Sequence, residues 1–330
     1  MTLGLRIAQV GPVIMLVALV AVISALTPLF LTSRNITNLG FQSAPILALA
    51  FGQLLVILTR GIDISVGSII GVVVAAGSLF YGHHMAGGLA VALMLGIGAL
   101  VGVINGLLYV KGRMPHPFIV TLATYGIVRG VAFALTGGNI TIGQPAVLET
   151  LAQGKLGPIP YATVLVAVLA CLTWMLLKHL QWGRWIYAIG GNPDAAARVG
   201  IPVNRVLVSV YVLSGLAAGV AGIITAGQIG VGDANAGLLS ELDAIAAVMI
   251  GGASFLGGRG SVSNAIVGAL MVTVIRNGLN LLDVSGYWQQ IAIGVVIAAA
   301  VELNVLRAHL ESRFRVLQAT HQAGAREVTA

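Results

Sequence analysis

TRGIDISVGSIIG, residues 59–71, joins two long apolar runs and sets Arg60 and Asp63 three residues apart among glycines. On either side the apolar residues continue without alternation, over about 39–58 and 63–81. Each run has roughly the helical length that crosses a bilayer, about 20 residues. The rest of the chain repeats the pattern. Of its 330 residues 58% are hydrophobic and 8% charged, against about 25% charged in soluble domains, so the solvent is lipid. The 44 glycines suit close helix–helix contact. A β-barrel would show short alternating segments rather than continuous runs. The single cysteine, Cys171, lies in an apolar run and excludes a disulfide framework; it is expected to be a buried, inert thiol.

The fold class is therefore all-α: a polytopic helical bundle of about ten transmembrane helices. The candidate spans are about 9–31, 39–58, 63–81, 88–110, 117–136, 161–179, 205–228, 243–257, 261–282 and 287–304. The eighth is short and glycine-rich, a candidate broken or re-entrant helix. Residues 1–305 form one transmembrane domain with a long loop at 180–204, and 306–330 a polar tail. The first apolar run, about 10–31, exceeds the 7–15 residues of a signal-peptide core and reads as an uncleaved helix. With the N-terminus inside, Arg6, Arg60, Lys111, Arg113, Lys178, Arg184, Arg198, Arg205, Arg259, Arg307, Arg313, Arg315 and Arg326 fall on the cytoplasmic side, and Arg34 and Lys155 outside. That asymmetry is the positive-inside pattern. It places both termini in the cytoplasm and assigns the net charge of +7 to topology rather than nucleic acid. MIGGASFLGGRGSVSNAIVG (249–268) echoes the layout of 57–71: apolar run, glycine break with an Arg, then Ser and a second run. The echo is a remnant of duplication or two tight turns solving one problem, and the second reading is favoured.

Within the opening stretch Gly61 permits a sharp turn, and Asp63 is placed to accept from the free N–H groups of the next helix. Arg60 either snorkels to headgroups or pairs with Asp63. The pair is a capped hairpin or a polar lining at the inner mouth of a pathway.

GIDISVGS (61–68) resembles a segment of the permease subunits of monosaccharide ATP-binding-cassette (ABC) importers, the ribose, xylose, galactose and autoinducer-2 group. PFIVTLATYGIVRG (117–130), GRWIYAIGGNPDAAARVGI (183–201), YVLSGLAAGVAGII (211–224), ELDAIAAVMIGGASFLGGRGS (241–261) and RNGLNLL (276–282) agree with it in order. The resemblance implies a multi-pass permease of the bacterial inner membrane, working with a second permease copy or paralogue, a cytoplasmic ABC ATPase and a periplasmic sugar-binding protein. It implies no catalytic residue, metal or cofactor on this chain, ATP being used by the partner.

The residues agree. Lys111, Lys155 and Lys178 are the only lysines, and none is followed by Ser or Thr, so there is no P-loop. In loop 180–204, Asn192 suits an N-cap, Pro193 the first helical position and Gly200 the end of a helix of about two turns. Isolated helices this short are marginal in water, so it packs on something. The resemblance makes it a coupling helix docking through Asn192, Ala195, Ala196, Arg198 and Gly200. Sugars need hydrogen-bonding side chains along their route. The candidates are Asp63, Asn105, Thr121, Thr124, Tyr125 and Arg129. Thr121, Thr124 and Tyr125 share a helix face. Arg129 either meets arriving sugar or bonds carbonyls at a broken helix; Asn105 contacts sugar or another helix. Arg276 reads as a snorkelling anchor. The outer loops 137–160 and 229–242 offer Asn139, Gln144, Glu149, Asp233, Asn235 and Glu241 to a binding protein. No acidic residue falls mid-span, which counts against the alternative of an ion-coupled secondary sugar transporter.

Overall fold

The structure is a computed structural model in which residues 3–296, 298, 299 and 302 are described. The chain runs through α1 (Leu3–Leu26), α2 (Ser33–Leu58), α3 (Val66–Gly82), α4 (Gly87–Lys111) and α5 (Pro117–Thr136). After β1 (Thr141–Ile142) come α6 (Ala146–Gln153), β2 (Lys155–Leu156), β3 (Ile159–Pro160), α7 (Tyr161–His179), α8 (Gln181–Gly191) and α9 (Pro193–Arg198). The last elements are α10 (Val203–Ile229), β4 (Val231–Gly232), α11 (Ser240–Ile250), α12 (Val262–Leu281) and a helical stretch over 286–296. Local chemistry sets the ends. His116 caps α5 by accepting from Phe118 N at 3.2 Å, Pro117 opens it, and Gly137 at φ +59° closes it. Ser261 caps α12 by accepting from Asn264 N at 3.2 Å.

Helices α2, α4, α5, α7, α10 and α12 are long and apolar enough to cross a membrane; α3 and residues 11–26 of α1 are shorter apolar helices. The chain is thus a polytopic helical membrane protein. The expected tenth span opens as the helix at 286, but its end and the tail 306–330 lie outside the described residues.

Helix α10 lies at the centre, against α4, α2 and α3. On α4 three glycines four apart meet it backbone to backbone. A Cβ on Gly98 would stand 2.3 Å from Gly215 O, and one on Gly102 2.3 Å from Tyr211 O. Gly106 faces Val208 Cα the same way, at 2.8 Å. The small residues let the two axes approach without side chains between them.

Two chain reversals give the bundle its ends. At one, Arg60 and the turn at 257–260 meet the end of α8, with Gly258 N donating to Leu58 O at 2.9 Å. At the other, β1 pairs antiparallel with β4, Thr141 opposite Gly232. Both reversals fold back into the protein before the next helix starts. After Arg60 the chain returns unwound to Asp63, whose backbone carbonyl and N–H both face the Gln53 carboxamide; with that amide turned to pair with them, its nitrogen lies 3.1 Å from the carbonyl and its oxygen 3.3 Å from the N–H. Only then does α3 begin. After β4 the chain dips until Gly237 packs on Gly67 and Ile70, and α11 follows.

Several expectations change here. The left-handed residue of the first reversal is Arg60, at φ +67°, not Gly61. Gly61 is required because a Cβ would sit 2.6 Å from Tyr211 Oη. Asp63 is not the cap of α3, which starts three residues later. Arg60 and Asp63 turn to different partners. Cys171 is exposed on α7, since that helix buries only part of its circumference.

Candidate functional site: a buried polar network and an exposed short helix

Asp63 is fully buried. One carboxylate oxygen accepts from Ser65 N at 3.0 Å and Ser65 Oγ at 2.6 Å; the other accepts from Ser214 Oγ, on α10, at 2.9 Å. Ser65 Oγ accepts in turn from Asn105 Nδ2 on α4 at 2.8 Å. Asn105 Oδ1 accepts from Thr124 Oγ1 on α5 at 2.7 Å. Thr121 donates to Ile62 O at 3.1 Å. Four of the six expected pathway residues, Asp63, Asn105, Thr121 and Thr124, therefore form one connected cluster. It ties the unwound stretch 62–65 to α4, α5 and α10. A buried carboxylate without donors is costly; here every hydroxyl that reaches Asp63 can donate.

Arg129 serves the second unwound stretch. Its Nη1 donates to Ala234 O and to Ala236 O at 3.0 Å, and its Nη2 to Gly67 O at 3.1 Å. The carbonyls come from a dipping loop and from the first turn of α3, where no ladder partner satisfies the loop's groups. Tyr125, half-buried, lies with its ring centroid 5.6 Å from the guanidinium carbon.

The acidic residues are deeper than the spans suggested. Asp63, Glu241 and Asp243 are all buried. The second reversal carries Glu241 inward with the start of α11. Arg276 is not a snorkelling anchor: its Nη2 lies 2.7 Å from both oxygens of Asp243.

Helix α9 forms where expected. Asn192 Oδ1 accepts from Ala195 N at 3.0 Å, Pro193 opens the helix, and Gly200 at φ +84° closes it as Ile201 N donates back to Ala196 O at 3.1 Å. Asn192, Ala195, Arg198 and Gly200 are exposed, but Ala196 is buried and seats the helix on the body. Val199 adds an apolar residue, 78% exposed, to the outer face.

The model for the permease component of branched-chain amino acid transport systems matches residues 35–301. The chain is 42% identical over 300 residues to the ribose import permease protein RbsC of Bacillus subtilis (strain 168), covering 90% of this chain and 92% of that one. It is 38% identical over 292 residues to RbsC of Escherichia coli (strain K12), covering 87% and 91%. It is 35% identical over 302 residues to the D-allose transport system permease protein AlsC of the same strain, covering 90% and 91%. The chain belongs to this permease family. No solved structure matches it.

The matched region of the permease contains the whole Asp63 cluster, Arg129 and α9. Sequence reasoning missed Gln53 and Ser214, although a lone polar residue in an apolar run marks an intramembrane partner. It placed Glu241 on the outer surface, whereas the residue is buried, because nothing in the sequence says that the loop before it dives.

Proposed function

We propose that this permease is the membrane-spanning subunit of an ABC importer for a monosaccharide or a similar small polyol. The observation that carries the reading is its similarity, over nearly the whole length, to permeases named for ribose and allose import. The family description names branched-chain amino acids; the sugar-import relatives favour the carbohydrate reading.

Ten crossings with both termini in the cytoplasm of a bacterial inner-membrane protein suit the charge distribution. They also suit the meeting of Arg60 with Gly190 and Gly257 at one end, since all three belong to expected cytoplasmic turns. An ABC ATPase would supply the energy by docking on Asn192, Ala195, Arg198, Val199 and Gly200. A periplasmic sugar-binding protein would meet the opposite end, where Asn139, Glu149 and Asn235 remain exposed. A second permease, copy or paralogue, suits α5. Gly126, Gly130 and Ala134 lie four apart on an exposed face, and nothing lies near either glycine. Such a face lets two helices pack closely in lipid. The Asp63 cluster is internally satisfied, so its part in transport is to hold the unwound stretch before α3 against α4, α5 and α10. Tyr125 keeps accessible surface and is the candidate for touching sugar.

Proteoliposomes holding the permease, its ATPase and its binding protein test the reading with radiolabelled ribose and allose. Uptake requiring ATP and all partners is expected. Uptake by the permease alone under an ion gradient would establish the secondary-transporter reading instead.

A further inference from the structure

The last carbonyls of α8 have no intrahelical donors, as at any helix end. Arg60 supplies them. Its Nε donates to Gly190 O at 2.8 Å and its Nη2 to Gly191 O. A guanidinium at the C-terminal end of a helix also complements the helix dipole. Arg60 holds a left-handed backbone to do this, a conformation that a non-glycine residue keeps only when its surroundings fix it.

The dipeptide Gly190–Gly191 is held from a second side. A Cβ on Gly190 would lie 1.8 Å from Leu58 O and 2.4 Å from Gly258 N, and one on Gly257 would lie 2.5 Å from Arg60 Cγ. Tyr187 Oη, one turn back on α8, donates to Gly260 O at 2.9 Å. Both the turn after α2 and the turn after α11 therefore grip the same two residues. Those residues lead directly into Asn192, the cap of α9. From Arg60 the chain reaches Asp63 in three residues, and from Gly251 it runs back into α11 with Asp243.

We propose that Gly190–Gly191 is the mechanical joint of the permease, and that Arg60 is the positioning residue that locks it. Displacement of α9 passes through this joint into both reversals at once, and so into the unwound stretch before α3 and into α11. The inference rests on α9 being the ATPase-docking helix. Asn192 caps α9 without help from Arg60, so the docking face survives loss of the lock while transmission fails.

The test uses the complete importer in proteoliposomes, reading ATPase binding, ATP hydrolysis and sugar uptake per ATP. Arg60→Ala is expected to keep ATPase binding and hydrolysis and to lose uptake per ATP by about tenfold or more. Arg60→Lys, which still donates to carbonyls as a point charge, should restore part of it. Gly190→Ala, whose Cβ has no room, should uncouple as Arg60→Ala does. Gly191→Ala, with nothing within 4 Å of its Cβ, should stay coupled. The proposal is overturned if Arg60→Ala binds the ATPase and transports with the parent's stoichiometry. It is overturned too if Arg60→Ala loses ATPase binding itself, since Arg60 would then build the docking face. If Arg60→Ala does not fold, equal coupling in the two glycine variants overturns it. Failure of the parent permease to bind any ATPase through α9 would instead remove the underlying reading of function.

Discussion

Asn35 and Asn277 exchange two hydrogen bonds of 2.9 Å, each amide donating to the other's carbonyl oxygen, across 242 residues of sequence. Both are buried, and the pair clasps the start of α2 to the end of α12. Asn35 also donates to Phe30 O at 2.9 Å.

Removing one partner leaves buried donors and acceptors empty. Asn277→Ala is expected to lower stability by about 1–2 kcal/mol. Replacing both residues with Ala should cost less than Asn35→Ala and Asn277→Ala added together, because the double change leaves no orphan between them. Thermal unfolding of the three variants in detergent checks the difference.

Asp63→Asn keeps the shape and removes the charge. The new amide nitrogen faces a hydroxyl that had been donating, so one bond must be lost or reversed. A loss of about 2 kcal/mol is expected, and a smaller one, about 1 kcal/mol, for Ser214→Ala. Equal melting temperatures for Asp63→Asn and the parent would show that the cluster does not hold the unwound stretch.

The α4–α10 seam separates two glycines that look alike in sequence. Gly102→Ala drives a Cβ into Tyr211 O and is expected to cost about 2 kcal/mol or more. Gly96 has nothing within 4 Å, and Ala there should be neutral or stabilising by up to about 1 kcal/mol through helix propensity. Chemical denaturation of the two variants in the same detergent measures the contrast.

On α9 the two faces should separate in function. Val199→Asp alters the exposed face and is expected to weaken ATPase binding at least tenfold while leaving the helix folded. Ala196→Asp buries a carboxylate under the helix and should make loop 180–204 susceptible to protease before any effect on docking is seen. Pull-down of the ATPase and limited proteolysis, run in parallel, distinguish the outcomes.

Much of this architecture was legible because glycine and proline punctuate it. Residues 117–136 and 161–179 read as spans and are α5 and α7 to the residue, since Pro117, Gly137 and Pro160 mark their ends. The short helix after Asn192 was equally plain from its cap, its proline and Gly200. The first turn of α3 was not. Asp63 looks like a cap by local rules, but Ser214 and Asn105 lie far off in sequence and, with Gln53 on the preceding helix, hold the chain unwound past it. Helix α8 escaped notice because its apolar face is set by packing on α7 and α10 rather than by length. The role of Arg60 was open, and Arg276 was misread as an anchor, for the same reason: an arginine in an apolar chain announces that it needs a partner, and its spacing does not name one.

The meshed glycines of α4 and α10 limit how this protein can move. Two rods that touch through their main chains at three successive notches cannot creep past each other by small amounts; the next fit lies one whole notch away. Any opening of a conduit must therefore leave that pair riding as a single slab, with the bending confined to the places where the chain is not coiled.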